Sequence, residues 1–402
     1  MKGSADEDDE GVMGRSPASD RLSGIGTSIF TEITALAVHH GAVNLGQGFP
    51  DFAAPAFVKE AAARHIRDDR NQYAASPGVP RLRRALADDW RRRHPEAPVG
   101  DPESEITVAS GATELLHDAV LATVNPGDEV IVFEPAYDAY VPDILMAGGV
   151  PRFVPLEAPT FAFDPARLAA AFGPRTRALI LNSPHNPTGK LFRRDELETI
   201  AQLCRAHDVL VISDEVYAEI YFDRAPVPIA TLPGMRQRTI TIESMGKTFS
   251  VTGWKVGWAI APAPLSAALR AVHQFVTFTN ATPFQEALAD VLPIAARDGF
   301  YDELRASYRQ RRDRLASVLR DVGLDPLPVD GAYFLLTDVA GRGQGTDVEF
   351  CRRLVVDVGV AAIPTSVFYE NPRSAPQLAR FCFAKKPETL DAAAERLKRL
   401  GQ

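Results

Sequence analysis

The stretch SMGKTFSVTGWKVGW, residues 244–258, places two lysines eight positions apart in an apolar and turn-rich segment. It joins two strand-like runs, RTITIES at 238–244 and GWAIAP at 257–262. Lys247 follows a glycine, which would let the backbone approach a ligand closely, and Lys255 supplies a second cation nearby. A surface-loop lysine is the ordinary interpretation of either residue by itself, so the function of this stretch depends on the rest of the chain.

Short β-branched runs alternate with helical patterns on both sides of this stretch. The clearest further strands are EITVAS (105–110), DEVIVFEP (128–135), RALILNSP (177–184) and DVLVISDE (208–215). Apolar strand cores of this length, buried on both faces, are typical of a parallel sheet in an α/β protein. The apolar spacing of RDELETIAQLCRAH (194–207) predicts a helix between two of these strands.

The pattern changes from about residue 300 onward. RASYRQRRDRLASVLRDVG (305–323) predicts a long amphipathic helix, and strand-like GAYFLLTDV and ARFCFA follow it. We expect a disordered acidic tail, an N-terminal segment that contributes to a small α+β domain, a large ligand-binding domain, and a C-terminal small domain. In that order, the predicted boundaries are 1–24, 25–55, 56–300 and 301–402.

Composition excludes several classes of function. The chain has 44 Lys and Arg against 52 Asp and Glu, a net charge of −8. It therefore lacks the excess positive charge that binding to nucleic acids or anionic membranes requires. Cys204, Cys351 and Cys382 have no metal-ligand spacing, which predicts reduced thiols and no metal site. Without a signal peptide or an apolar span, we expect a cytoplasmic protein with neither nucleic-acid nor membrane partners.

The predicted strand ends carry chemically useful groups, and ligands of open α/β sheets bind at the carboxyl ends of the strands. A turn of small residues before a helix favours an anion, a carboxylate can keep a pyridine nitrogen protonated, and a neutral amine can attack an aldehyde. Together these groups predict a site for pyridoxal phosphate. They are Gly111, Ala112, Thr113, Tyr137, Asn186, Asp214, Tyr217, Ser244 and Lys247.

Each element also has a plainer interpretation. The turn before Thr113 could be an ordinary βα connection with that residue as a cap, and Asp214 could be a helix N-cap. Tyr217 could pack in the core, and Asn186 could be a turn asparagine. By composition, Tyr140 is as good a candidate for stacking on a ring as its neighbour in EPAYDAY.

Eight motifs, in order and spacing, resemble those of the fold-type I aminotransferases. They are VNLGQGFPDF (43–52), NQYAASPGVPRLRRALA (71–87), SGATELL, EPAYDAY, NSPHNPTGK, SDEVYAEIYFD, SMGKTFSVTGWKVGW and ARFCFAKK (379–386). The resemblance runs from about residue 25 to the C-terminus and is nearest to kynurenine/glutamine and methionine aminotransferases. It implies an α/β fold, the PLP-dependent transferase fold type I, with a mostly parallel seven-stranded sheet flanked by helices in the large domain.

The resemblance also implies roles for individual residues. Lys247 would form the Schiff base with the cofactor, Asp214 would pair with the pyridine nitrogen, and Tyr217 and Asn186 would contact the ring oxygen. Tyr137 would stack on the ring. The groups implied to hold the phosphate are those of Gly111, Ala112, Thr113, Ser244 and Lys255, joined by Tyr73 of the partner subunit.

The implied reaction moves the amino group of an L-amino acid to a 2-oxo acid by a ping-pong route, in a homodimer with active sites at the subunit interface. Arg380 would hold the substrate carboxylate as a planar fork, with help from Asn186 and the backbone of Gly48. Phe49 and Phe278 are candidate pocket walls.

The stretch QFVTFTNATPFQEAL (274–288) corresponds to the region where dicarboxylate-specific relatives place an extra arginine, and it has no arginine or lysine. We therefore expect a preference for neutral, sulfur-containing or aromatic side chains. Thr279 stands where kynurenine-type relatives often carry a histidine, which argues against kynurenine as the substrate. Glu134–Pro135 and Asn186–Pro187 match positions that are often cis in relatives.

Two other functions share the same cofactor chemistry. A cysteine-conjugate C–S β-lyase would use the same site. A pyridoxal-phosphate-binding regulator would need an appended DNA-binding domain, and the roughly 24 residues before the core are too few for one of about 50 residues. The physiological amino donor, the acceptor and the pathway are not specified by the sequence.

Overall fold

The computed structural model describes residues 19–22, 26, 28–97, 99–342 and 345–401. Most of the predicted acidic tail, 1–24, therefore lies outside the described residues. The strands are β1 Val43–Asn44, β2 Ile106–Ala109, β3 Glu129–Glu134, β4 Val150–Glu157, β5 Ala162–Phe163, β6 Thr176–Asn182, β7 Leu210–Asp214, β8 Thr239–Ser244, β9 Gly257–Ile260, β10 Phe334–Asp338, β11 Val360–Ala361, β12 Ile363–Pro364 and β13 Leu378–Cys382.

Helices cover the strands and connect them. The α-helices are α1 Ile29–His39, α2 Ala56–Arg67, α3 Pro80–Arg93, α4 Pro102–Glu105, α5 Ala112–Thr123, α6 Tyr140–Met146, α7 Pro165–Ala171, α8 Arg194–Ala206, α9 Met245–Thr248, α10 Ala263–Val276, α11 Thr282–Arg297, α12 Phe300–Asp321, α13 Asp347–Arg353 and α14 Pro387–Leu397. Among the described helices, none is long and apolar enough to cross a membrane.

The large sheet has the order β2-β9-β8-β7-β6-β3-β4-β5. Strands β8, β7, β6, β3 and β4 run parallel, whereas β9 is antiparallel to both β2 and β8. The α/β class and the mostly parallel sheet are thus confirmed, but the predicted count of seven strands is wrong by one. The eighth strand, β5, has only two residues and pairs at the edge with β4, so it carries no apolar run that could have revealed it.

Alternating side chains of the parallel strands build a core on each face of the sheet. In β6, Leu179 packs on the face covered by α8, and Ile180 packs on the face covered by α5. The predicted helix at 194–207 is confirmed as α8, which buries Leu197, Ile200 and Cys204. This two-sided burial holds the strands in register, so the residues at their carboxyl ends come together at one edge of the sheet.

The N-terminal segment packs with the C-terminal part of the chain. Strand β1 pairs with β11, and a separate antiparallel sheet has the order β10-β13-β12. Helix α12 begins five residues earlier than the amphipathic pattern predicts, directly after Gly299 in the left-handed conformation (φ 78°). These pairings join the two ends of the chain, and the small domain with its boundaries stays a prediction.

The loop between β6 and α8 carries Asn186 and packs against the segment before β10. The carbonyl of Gly189 accepts hydrogen bonds from the amides of Asp330 and Gly331 (3.0 and 2.8 Å). Gly189 has φ +72°, and a Cβ there would overlap Val329 Cγ2 and lie 2.9 Å from the Gly331 carbonyl oxygen. The loop therefore needs glycine here for conformation and for space. Glu134–Pro135 and Asn186–Pro187 are cis as predicted, and so are Ala158–Pro159 and Ser183–Pro184.

We predict that Gly189→Ala lowers the thermal midpoint more than Gly127→Ala does. Both residues have positive φ, but a Cβ at Gly127 would meet nothing within 4 Å. Each alanine incurs about 1–2 kcal/mol for the left-handed conformation, and Gly189→Ala adds a steric cost of about 1–3 kcal/mol. Differential scanning calorimetry of the two variants measures the difference, and equal midpoints would refute the packing argument.

Candidate active site

A cavity of ≈ 350 Å³ lies at the carboxyl ends of the large sheet. It brings together residues that are more than 300 positions apart in sequence, from the N-terminal segment, the sheet and β13. The sequence-predicted site residues that line it are Gly48, Gly111, Ala112, Thr113, Tyr137, Asn186, Asp214, Tyr217, Ser244, Lys247, Lys255 and Arg380.

Lys247 extends into this cavity from the single turn of α9. A Cβ at the preceding Gly246 would lie 3.0 Å from Thr252 Cα, so glycine allows the turn to close tightly. The Lys247 amine donates to the carbonyl of Gly48 (3.3 Å) and lies 5.7 Å from the centre of the Tyr217 ring. Burial lowers the pKa of Lys247 to about 8, although Cys382 and Asp214 act in the opposite direction. The amine is thus readily available in its neutral, nucleophilic form.

Asp214 ends β7 and is buried within the cavity wall. Its Oδ2 accepts a hydrogen bond from the Tyr140 hydroxyl (2.7 Å), and its Oδ1 accepts one from the Val216 amide (3.3 Å). Burial raises the pKa of Asp214, while these two donors and the charge of Lys247 lower it. Within the part of the chain that the structure describes, no cation lies within ion-pair distance of this carboxylate. It therefore has an unmet preference for a positive partner.

The two tyrosines of EPAYDAY have different positions. Tyr137 lines the cavity, whereas Tyr140 is 3 % exposed and its hydroxyl contacts Asp214 from outside the cavity. The alternative that composition left open therefore favours Tyr137 as the residue placed to stack on a ring. Tyr140 instead orients the carboxylate.

The turn between β2 and α5 forms an anion cradle with Lys255. Gly111 has φ +84° and begins the helix, so the first amides of α5 face the cavity. The Lys255 amine lies 3.5 Å from the Thr113 hydroxyl, and a Cβ at Gly111 would lie 3.3 Å from that amine. On the other side, a Cβ at Gly257 would lie 2.7 Å from the carbonyl carbon of Gly111 and 2.8 Å from the amide nitrogen of Ala112.

Beneath this turn, His273 is fully buried. Its Nδ1 lies 2.8 Å from a Glu114 carboxylate oxygen and its Nε2 lies 3.0 Å from the Ser76 carbonyl oxygen. Burial opposes protonation, but the Glu114 hydrogen bond and the charges of Glu114 and Asp118 raise the pKa of His273. Both ring nitrogens therefore face hydrogen-bond acceptors. Glu114, Asp118 and His273 also lie close enough together to hold a metal ion, although the Nδ1 atom of His273 is already engaged by Glu114.

Arg380 reaches the cavity from β13 and is 1 % exposed. It donates to the Asn186 side-chain oxygen (2.8 Å) and to the Gly46 carbonyl (2.9 Å), and its Nε has no partner. The guanidinium lies 4.1 Å from the centre of the Phe334 ring. No carboxylate of the described residues lies within 4.0 Å of it, so the site leaves a buried cation to be met by a ligand anion.

Three predicted residues lie outside the cavity of their own chain. Tyr73 is 84 % exposed and its ring packs edge-on against that of Phe278 (5.6 Å). Phe278 and Phe49 are both partly exposed. Their assigned roles at the phosphate and at the substrate pocket therefore stay predictions.

The cavity also contains residues that the sequence did not single out. Phe30, Gln47, Asp138, Asn182 and Phe334 all line it. The last residue of the RALILNSP strand core, the asparagine, could have been found by the same strand-end rule that gave the other candidates. For the two phenylalanines no local signal exists, because their position depends on packing between distant parts of the chain.

An α/β sheet with an anion cradle, a buried carboxylate and a buried amine at its strand ends is the combination expected of a pyridoxal-phosphate enzyme. Comparison with known proteins agrees with this class: the family model for aminotransferase class I and II matches residues 41–397. The chain is 45 % identical to the methionine aminotransferase of Escherichia coli over 94 % of this chain and 97 % of that protein. It is 43 % identical to kynurenine–oxoglutarate transaminase 3 of Mus musculus, over 93 % and 88 %.

Solved structures are equally similar. The crystal structure of a methionine aminotransferase, YbdL from Escherichia coli, has a TM-score of 0.91 at 44 % identity and covers 96 % of this chain and 100 % of that one. N-succinyldiaminopimelate aminotransferase from Mycobacterium tuberculosis has a TM-score of 0.91 at 45 % identity, over 95 % and 100 %. The chain belongs to the class I and II aminotransferases, and its cofactor is pyridoxal 5′-phosphate.

The residues present fit this cofactor. The cradle at Gly111 and Lys255 suits a phosphate, and buried Asp214 without a paired cation suits a protonated ring nitrogen. The lowered pKa of Lys247 suits an amine that must be neutral to attack an aldehyde.

We predict that covalent capture of pyridoxal phosphate by the apoprotein accelerates as pH rises to about 8 and then levels off. The neutral fraction of Lys247 grows until pH passes its lowered pKa of about 8, whereas an ordinary lysine would gain reactivity to about pH 10. Mixing at each pH, trapping with borohydride and quantifying the labelled peptide by mass spectrometry gives the rate. Lys247→Ala is the control, and a rate still climbing steeply at pH 10 would contradict the prediction.

Proposed function

We propose that this aminotransferase moves the amino group of a neutral, sulfur-containing or aromatic L-amino acid to a 2-oxo acid. The observation that carries the proposal is the distribution of charge in the cavity. Besides Arg380, the cations among the lining residues are Lys247 and Lys255, which are occupied with cofactor chemistry. The acidic lining residues are Asp214, which serves the cofactor, and Asp138, and the remaining walls include the rings of Phe30 and Phe334.

A distal substrate carboxylate would thus meet an acid or an aromatic surface. The residues 274–288 reinforce this argument, because no arginine or lysine occurs there to serve a partner subunit's site. The relatives are named for activity on methionine, kynurenine and N-succinyldiaminopimelate. Of these, the first agrees best with an uncharged side-chain pocket, and the last would bring additional carboxylate to it.

The mechanism assigns each nearby residue a distinct task. When bound, the cofactor supplies the electron sink that stabilises negative charge at the substrate Cα. Arg380 binds the substrate α-carboxylate as a two-pronged donor, and Asn186 keeps the guanidinium in place. Asp214 holds positive charge on the ring nitrogen, and Tyr217 donates a hydrogen bond to the ring oxygen.

Lys247 is the proton carrier in this scheme. Once its amine is free, it removes the proton from the substrate Cα as a general base, and as a general acid it would deliver that proton to the C4′ carbon of the bound cofactor. A pKa near 8 suits both directions of transfer because it lies close to the operating pH. The Gly48 carbonyl, 3.3 Å from the amine, holds the side chain in the cavity between these steps.

We predict that a half-reaction screen gives methionine, glutamine and phenylalanine as faster amino donors than aspartate, with kynurenine slow. Aspartate carries a second carboxylate for which the lining offers no spare cation. Stopped-flow absorbance follows conversion of the cofactor to its amine form with each amino acid. Preference for aspartate or for N-succinyldiaminopimelate would overturn the proposed substrate class, and pyruvate release from cysteine conjugates without an acceptor would indicate β-lyase activity instead.

We also propose that the enzyme is a cytoplasmic homodimer. Three aromatic side chains are exposed: Tyr73 and Phe275 are each 84 % exposed and Phe278 is 43 % exposed, and the Tyr73 ring packs against that of Phe278. Large exposed apolar surfaces are typical of protein interfaces. In such a dimer, the hydroxyl of Tyr73 would serve the phosphate site of the other protomer.

We predict that a mixture of Tyr73→Ala and Lys247→Ala proteins is more active than either variant alone. If Tyr73 acts across the interface, each mixed dimer contains one site with both changes and one intact site. The assay follows transamination after the two proteins are co-refolded at limiting cofactor, with each variant co-refolded with itself as the control. Absence of restoration, or a monomer in light scattering, would exclude the shared site.

A further inference from the structure

Four consecutive carbonyls of the N-terminal segment are each held by a side chain. Arg380 donates to the carbonyl of Gly46 (2.9 Å). The Tyr333 hydroxyl donates to the carbonyl of Gly48 (2.5 Å), beside the Lys247 amine. The other two carbonyls, of the flanking residues 47 and 49, accept from a single lysine.

That lysine is Lys385, which is 3 % exposed. Its amine lies 3.2 Å from the Gln47 carbonyl oxygen and 2.9 Å from that of Phe49, and 5.0 Å from the centre of the Phe49 ring. Arg311 fixes its backbone by donating to the Lys385 carbonyl (2.9 Å). Over the residues that the structure describes, no carboxylate lies within 4.0 Å of the amine, so the buried charge is balanced by carbonyl dipoles and a ring face.

Peptide geometry makes the Lys385 contact directional. In a planar trans peptide, the carbonyl of one residue and the amide N–H of the next point in opposite directions. Holding the Gln47 carbonyl therefore turns the Gly48 N–H away from Lys385. Gly48 lines the cavity and Lys385 does not, and the Gly48 N–H has no acceptor among the described residues. This donor is free to bind a ligand beside Arg380.

We propose that Lys385 is a positioning residue for the substrate carboxylate. It aims the Gly48 N–H into the cavity through the Gln47 carbonyl, and its unpaired charge adds to the positive potential that Arg380 creates there. A substrate carboxylate bound between Arg380 and Gly48 would accept hydrogen bonds from the guanidinium and from the Gly48 N–H. The Lys385 charge would stabilise it further without direct contact. The inference rests on the proposed function, because it assumes that Arg380 binds the substrate carboxylate.

The test compares Lys385→Met with Lys386→Met in the holoenzyme. Lys386 is the next residue and its side chain is exposed, so the control removes the same charge from the adjacent position. We expect Lys385→Met to raise KM for phenylalanine about tenfold, the effect of losing one oriented hydrogen bond to a charged group, with kcat changed far less. Lys386→Met should leave both constants unchanged.

Binding of hydrocinnamate and hydrocinnamide, which share a side chain but differ in the carboxylate, separates this role from a structural one. Wild type should bind the acid more tightly than the amide, and Lys385→Met should reduce that preference about tenfold while cofactor content and cofactor absorbance stay normal. If Lys385→Met does not yield holoenzyme, Lys385→Gln provides the comparison, since it removes the charge and keeps a donor. An unchanged acid-to-amide ratio in the variant would overturn the inference.

An Arg380→Gln arm distinguishes this failure from failure of the proposed function. If Arg380→Gln leaves the acid-to-amide ratio of wild type intact, the carboxylate subsite itself is elsewhere and the proposed function fails with it. If Arg380→Gln abolishes the preference for the acid and Lys385→Met does not change it, the subsite stands and only the role of Lys385 is refuted.

Discussion

Burial of ions without counter-ions is the constraint on which this active site depends. Arg380 is enclosed by an amide oxygen, a carbonyl and aromatic faces, but by no carboxylate of the described residues. Asp214 is enclosed by a hydroxyl and an amide, but by no cation. Each uncompensated buried ion costs several kcal/mol. The folded chain therefore holds a cation and an anion at fixed positions, and each of them lacks a counter-ion. A ligand anion beside Arg380 and a ligand cation beside Asp214 would compensate these charges. An amino acid carboxylate and a protonated pyridine provide those two charges.

Asp214 and Arg380 are connected by a short chain of hydrogen bonds. The Asn182 side chain donates to the Asp214 carbonyl (2.9 Å) and accepts from the Asn186 amide (2.7 Å), and the Asn186 side chain accepts from Arg380. Each member fixes the orientation of the next, and bonds in such a network strengthen one another in a low-dielectric interior. The separation of Arg380 and Asp214 is therefore fixed by Asn182 at the end of β6 and by Asn186 in the loop that follows it.

Local pattern predicted much of this arrangement. The strand cores, helix α8 and the strand-end residues Asp214 and Ser244 follow from apolar runs and from the rule that ligands lie at strand ends. The antiparallel direction of β9 and the existence of two-residue β5 have no such signature.

Long-range contacts account for the rest. Arg380 meets the carbonyl of Gly46, 334 residues away, and no spacing rule reveals such a pair. The neighbours Lys385 and Lys386 look alike in sequence, yet one is buried over the N-terminal segment and the other faces solvent. Tyr140 likewise gave no sign that its hydroxyl would bind Asp214. Packing between chain ends decides these roles, and that information is distributed over the whole sequence.

The tight contact of Gly257 with the backbone of Gly111 and Ala112 has a consequence for how the enzyme can diverge. A side chain at the first residue of β9 would overlap the backbone of the anion cradle, so it could not be added without displacing the Ala112 amide. A substitution of Gly257 is therefore expected to weaken cofactor binding, although glycine has no side chain that could contact a ligand. Substitutions that change substrate specificity are therefore expected among residues that surround the substrate, and not in the anion cradle.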